Sequence, residues 1–206
     1  MKIFTALVFV LATVSAFAQQ SINFGSPVPA AGTYSTSGVW NTSGGFVFEL
    51  GVFNSGFTPT AGNVNEWAAN WSVANQGGPT GTATWIDDGG DTGFTGSGRI
   101  TVLSAPFTGN TQMYLWGYDS KAAGSRQWIL LSNTAWLVST DISAPVSSNF
   151  TVNGSTSAVL GGVSNAGATL QSALVNVSAV PEPATYAGLF GLAALGFCAV
   201  RRRRKA

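Results

Sequence analysis

Between residues 46 and 139 the apolar positions fall into short runs: Phe46–Phe53, Thr82–Ile86, Arg99–Ser104, Gln112–Tyr118, Gln127–Ser132 and Trp136–Ser139. Gly, Asn, Ser, Asp or Pro separates most of them, as in Gly44-Gly45, Asn54-Ser55-Gly56 and Asp87-Asp88-Gly89-Gly90. Short β-prone runs bounded by turn formers predict strands. At this density, and with hardly any stretch of helical period, they predict an all-β domain, an antiparallel β-sandwich or jelly roll. One short helix is expected over Val64–Trp71. Asn63-Val64-Asn65-Glu66 has the spacing of a capping box, and Trp67 and Trp71, four apart, would share a face.

From Ile142 to Pro181 the chain carries no charge and is dominated by Ser, Thr, Asn, Gly and Ala. Two readings stand. The stretch is a flexible stalk, or it supplies the last strands, since Phe150-Thr151-Val152, Ala158-Val159-Leu160 and Thr169–Val177 all alternate. The alternation favours strands, with only the last few residues before Pro181 as linker. No period of about 20–50 residues recurs, which argues against a solenoid.

The two ends have a different pattern. Lys2 is followed by an apolar run from Ile3 to Val14 and then by Ala16-Phe17-Ala18, the features of a secretory signal peptide over residues 1–18. Cleavage after Ala18 leaves Gln19 as the first mature residue. Residues 184–200 are apolar apart from Thr185 and the Tyr186 hydroxyl, and Arg201, Arg202, Arg203, Arg204 and Lys205 follow at once. As a helix this run reaches about 25 Å at ~1.5 Å per residue, the short end of a membrane span. The basic tail orients its C-terminus to the cytoplasm.

Charge changes the picture once it is divided by region. The formal net charge is +1, but most of the basic residues sit in the two tails. Residues 19–180 carry three basic residues (Arg99, Lys121, Arg126) against seven acidic ones, a net −4. A domain without a basic patch is a poor nucleic-acid binder, so no nucleic-acid partner is expected. The chain has no His and its single cysteine is Cys198. Residues 19–180 therefore cannot supply a Ser-His-Asp or Cys-His site, a His-ligated zinc, a His- or Cys-ligated haem, or a disulfide. Remaining enzyme chemistry would have to use carboxylates, and no catalytic residue is assigned.

Immediately before the apolar run stands Val180-Pro181-Glu182-Pro183. With the span, the Arg-rich tail and the N-terminal signal, this resembles the PEP-CTERM sorting signal over about residues 180–206. The resemblance implies a secreted protein of an exopolysaccharide-producing Gram-negative bacterium, processed near the motif by an exosortase, a membrane-embedded cysteine protease. Pro181, Glu182 and Pro183 would be recognition residues and Arg201–Lys205 the topology signal. Two prolines keep the segment extended and out of the following helix. The resemblance bears on sorting, not on activity. The division that follows is 1–18 signal peptide, 19–179 secreted domain and 180–206 sorting signal. Within the domain, Phe48–Phe53, Gly56–Thr60, Trp67–Trp71, Trp116–Asp119 and Gln127–Leu131 are similar to segments of secreted PEP-CTERM proteins of Verrucomicrobia-like bacteria.

Three candidate sites remain, each with a plainer reading. Strand alternation puts Tyr114, Trp116 and Tyr118 on one face of Gln112–Tyr118 and Met113 and Leu115 on the other. If the Met/Leu face packs inward, the three rings form a carbohydrate-stacking platform; otherwise they are core. Asp87, Asp88 and Asp91 crowd a Gly-rich loop that suits Ca²⁺, the one candidate cofactor, or is a solvated turn. A glycosidase pair needs two carboxylates about 5–10 Å apart, and nothing in the sequence brings Glu49 and Glu66 together. The expected function is that of a non-enzymatic exported surface or matrix protein associated with exopolysaccharide. The alternative is a carbohydrate-binding module.

Overall fold

The computed structural model describes residues 18–36, 38–40, 45–88 and 91–178. Nearly all of the expected signal peptide (residues 1–18) and the sorting-signal segment 180–206 lie outside these residues. Among the described residues, no helix is long and apolar enough to cross a membrane.

The chain runs β1 (Gln20–Gly25), β2 (Ala31–Thr33), β3 (Val47–Phe53), α1 (Val64–Asn70), β4 (Trp71–Val73), β5 (Thr82–Thr84), β6 (Ile86–Asp88), β7 (Asp91–Gly93) and β8 (Thr95–Ile100). It continues with β9 (Gln112–Tyr118), β10 (Gly124–Leu137), β11 (Val146–Thr151), β12 (Ser157–Leu160), β13 (Gly162–Ser164), β14 (Thr169–Gln171) and β15 (Ala173–Val177). The fold is all-β with sandwich-like layering. A central sheet has β9 in the middle, flanked by the long strands β10 and β3. Each long strand carries two short partners on its outer edge: β12 and β15 on β10, β4 and β5 on β3. A second sheet has the order β11-β1-β8, a third β13-β14-β2, and β6 and β7 form an antiparallel pair.

The central sheet is buried on both faces, and its sequence says why. Strand alternation turns Phe48, Leu50 and Val52 of β3, Met113 and Leu115 of β9, and Ile129 and Leu131 of β10 to one side. There they pack in one core with Ile22 and Phe24 of β1, Ile100 of β8 and Phe150 of β11. Each such side chain contributes about 1.5–3 kcal/mol when fully buried. The other side carries Phe53, Trp116, Trp128 and Leu130, which form a second cluster with Val64 and Trp67 of α1. Buried on both faces, β9 and β10 read as nearly continuous apolar runs. Gly117 is needed where the main core is tightest, since a Cβ there would stand 2.6 Å from Ile129 and 2.7 Å from Phe46 and Phe48.

Several expected elements shift. The run 127–132 and the first two residues of 136–139 belong to one strand, β10, because the intervening Asn133-Thr134-Ala135 is taken up as a register irregularity against β9, and the strand ends at Leu137. The Gln112 side chain satisfies that bulge, its Nε2 donating to the Asn133 carbonyl at 2.9 Å and the Trp136 carbonyl at 3.0 Å. The strand expected at 99–104 lies earlier, at 95–100. The helix ends at Asn70, and Trp71 is already extended (φ −94°, ψ 136°) as the first residue of β4.

The capping box does not form. Asn63 Oδ1 instead accepts from the Thr60 N–H at 2.8 Å and from Trp67 Nε1 at 2.9 Å. A buried indole N–H needs an acceptor, and Asn63 is one helical turn ahead of it. Residues 146–177 supply five strands, β11 to β15, with a 3-10 turn at Asn165–Gly167 between β13 and β14. In that stretch β11 lies parallel to β1, β12 and β15 pair with β10, and β14 pairs with β13 and, in parallel, with β2.

Candidate functional site

The outer face of the central sheet collects the polar and aromatic chemistry. Strand alternation puts Glu49 on the same side of β3 as Gly51 and Phe53, and the register sets it opposite Trp116. Gly51 leaves room for the Trp71 indole, which lies 2.6 Å from where a Cβ would be. Trp71 Nε1 then donates to Glu49 Oε2 at 2.8 Å. Lys121, just past the end of β9, donates to the same oxygen at 2.5 Å. The Tyr118 hydroxyl donates to Glu49 Oε1. The Lys121 ammonium also stands over two rings, 4.4 Å from the Trp116 centroid and 4.6 Å from that of Tyr118, where ring quadrupoles favour a cation.

Glu49 is 7% exposed, and three donors share its two oxygens. The environment of the donors follows from this closure. Burial pushes the Tyr118 phenol well above its ordinary value, and the neighbouring Glu49 carboxylate adds to the rise. Burial holds the Lys121 ammonium below the usual lysine range, with its bond to Glu49 acting in the opposite direction. The arrangement is a latch joining β3, β4 and the end of β9. Its carboxylate is engaged on both oxygens, so it is poorly placed to take a proton from a substrate.

Tyr114, Trp116 and Tyr118 do share a face, and Met113 and Leu115 do pack inward. They nevertheless form no open row. Trp116 is fully buried beneath α1, edge-on to Trp67 (5.8 Å), Trp71 (5.5 Å) and Trp128 (4.8 Å). Its Nε1 is buried without a partner. Tyr114 and Tyr118 are half-buried at either end. A stacking surface continuous across all three rings is therefore closed off by the helix.

The acidic residues fall on the antiparallel pair β6–β7; Gly89, Gly90 and the side chains of Asp88 and Asp91 lie outside what the structure describes. The register pairs Asp88 with Asp91 and Asp87 with Thr92, and Asp87 is exposed. Among the described residues no group of three His, Cys, Asp or Glu side chains is arranged to hold a metal. Glu66 sits exposed on α1 while Glu49 is buried in the latch. Sequence reasoning missed Lys121, which lies in a loop without a motif. It also placed Trp71 on the helix; the one signal for its partner was a lone Glu in an apolar strand.

Pro181, Glu182, Pro183, Arg201, Arg202, Arg203, Arg204 and Lys205 lie outside the described residues. The PEP-CTERM protein-sorting motif matches the chain over residues 179–204. No curated protein and no solved structure matches it.

Proposed function

We propose that this chain, which carries a PEP-CTERM protein-sorting motif, is a non-enzymatic exported protein of the cell envelope or extracellular matrix that works in contact with exopolysaccharide. The motif is the observation that carries the reading. The chain enters the export route by its signal peptide. It is held by one C-terminal span and handed to an exosortase-type protease at Pro181-Glu182-Pro183.

The domain is consistent with this course at both ends. Gln20, the second residue after the expected cut, is clamped in the fold at 1% exposure. Its Oε1 accepts from the Ser139 N–H at 2.9 Å and its Nε2 donates to Ser148 Oγ at 3.1 Å. A cut after Ala18 thus leaves the whole of β1, which begins at Gln20, in the mature chain. At the other end β15 stops at Val177, just before the matched motif. The non-enzymatic reading is supported by the engaged Glu49 carboxylate and by the lack of His and Cys in residues 19–180.

Expression in a host that carries an exosortase, followed by fractionation and intact mass, tests the reading. The expected mature protein starts at Gln19, lacks the basic tail and is found in the outer envelope or medium. Pro181→Ala with Glu182→Ala leaves the tail attached and the protein in the inner membrane. Recovery of the unprocessed chain in the cytoplasm would refute the reading.

A further inference from the structure

The end of the aromatic face that α1 leaves uncovered opens into a cleft of about 310 Å³. It lies between the turn after β3, the loop before β9 and the first residues of β9. That is the small end of the ~300–1,000 Å³ range of ligand pockets. Phe53 forms its floor. Phe57 stacks on Phe53 (5.3 Å, 27°), and Tyr114 meets the same ring edge-on (5.4 Å, 78°). The two half-buried rings are thus fixed by a buried one and present an apolar wall.

Asn54, Thr108, Thr111 and Gln112 line the same cleft. Their free valences can be counted. Gln112 Nε2 is committed to the backbone of β10, which leaves Oε1 as an acceptor. Asn54 Nδ2 donates to Asn70 Oδ1 at 3.3 Å, which leaves Oδ1. The Thr108 and Thr111 hydroxyls bond each other at 2.8 Å, and one of the two protons remains to donate. No residue lining the cleft is charged.

We infer that this cleft binds one uncharged sugar unit of a polysaccharide. A pyranose has a C–H face, which an aromatic ring covers, and a rim of hydroxyls, which both donate and accept. Side-chain carbonyl oxygens beside a threonine hydroxyl match that rim, whereas an aliphatic lipid or peptide side chain would leave them unpaired. An acidic sugar would meet no cation to balance it. The inference deepens the exopolysaccharide contact proposed above and rests on it for the availability of the ligand. It moves the site from the row Tyr114, Trp116 and Tyr118 to Tyr114 and Phe57.

The test is affinity electrophoresis of the full chain in detergent micelles through gels containing dextran, laminarin, mannan, galactan or alginate. At least one neutral polymer retards the protein. Tyr114→Ala and Phe57→Ala each weaken that binding about tenfold, ~1.4 kcal/mol of lost ring contact. The rim variant Thr108→Val weakens it without touching the core, while Tyr118→Phe leaves it unchanged. Near-UV circular dichroism of the tryptophan cluster verifies that each variant is folded. Retardation by alginate alone, by no polymer, or equally in wild type and in folded Tyr114→Ala and Thr108→Val overturns the inference. Binding is read in vitro and sorting by fractionation, so either can fail without the other.

Discussion

Glu49 sits between Phe48 and Leu50 in a strand that packs on both faces, and its three donors come from 22, 69 and 72 positions away. Its surroundings give the latch a pH signature. Tyr118 is half-buried and donates its proton to the carboxylate, so ionising it would desolvate a phenolate and also set it against Glu49. The folded state therefore holds that proton more tightly than the unfolded chain, whose phenol titrates at about 10. The resulting stabilisation is fully present below that pH and is lost as pH climbs above it. Lys121 has the opposite sign, since its lowered ammonium value makes its contribution grow with rising pH toward the ordinary lysine value. Phenolate absorbance separates the two. Tyr118 is expected to ionise later than Tyr34 and Tyr114, whose values burial also raises. Glu49→Gln brings Tyr118 back toward the ordinary value. An unmoved titration in that variant would show that Glu49 does not hold the phenol. The sequence showed that 49 is a carboxylate in an apolar strand, but partners this remote leave no local trace.

Seven residues make too short a helix to persist alone, so α1 exists because of what it covers. Trp67 is fully buried, nearly parallel to Trp128 (5.8 Å, 23°) and edge-on to Trp116. Trp67→Ala should cost about 3–5 kcal/mol, measured by denaturant unfolding, with loss of near-UV dichroism from the Trp116–Trp128 pair. A cost below ~1 kcal/mol would mean that the helix contributes little to the second core. A helix at Val64–Asn70 was legible, although the capping box that suggested it does not form and Trp71 belongs to β4. What the helix does was not, because the same alternation suits an exposed platform and a covered face equally well. Only the packing of α1 against β9 and β10 separates them. The strands divide in the same way. The bounds of β9 could be read from its alternation, whereas β1 and β2, rich in Ser, Gly and Asn, carry too little apolar pattern to stand out.

At the scale of the molecule the two ends of the described chain are knitted together. The N-terminal β1 lies parallel to β11, and β2 lies parallel to β14. Neither pair can form until most of the domain has been synthesised. A chain stopped after Ser178 should keep cooperative unfolding and the near-UV signal of the intact domain. One stopped after Ile142 removes β11 to β15 and exposes Ile22 and Phe24, and it should lose both. Cooperative unfolding of the shorter chain would show that the strands from β11 onward are an appendage. The sequence by itself determined the all-β class and the sorting motif at the C-terminus. It also excluded His- and Cys-based chemistry from residues 19–180. These follow from composition, from alternation and from motifs contiguous along the chain. Tertiary structure decided between stalk and strands in the uncharged stretch after Ile142, and it alone decided that Trp116 is buried while Tyr114 borders a cleft and that Glu49 is locked by three donors. Each of these depends on which distant segments meet, and that is settled by the packing of the two faces of one sheet.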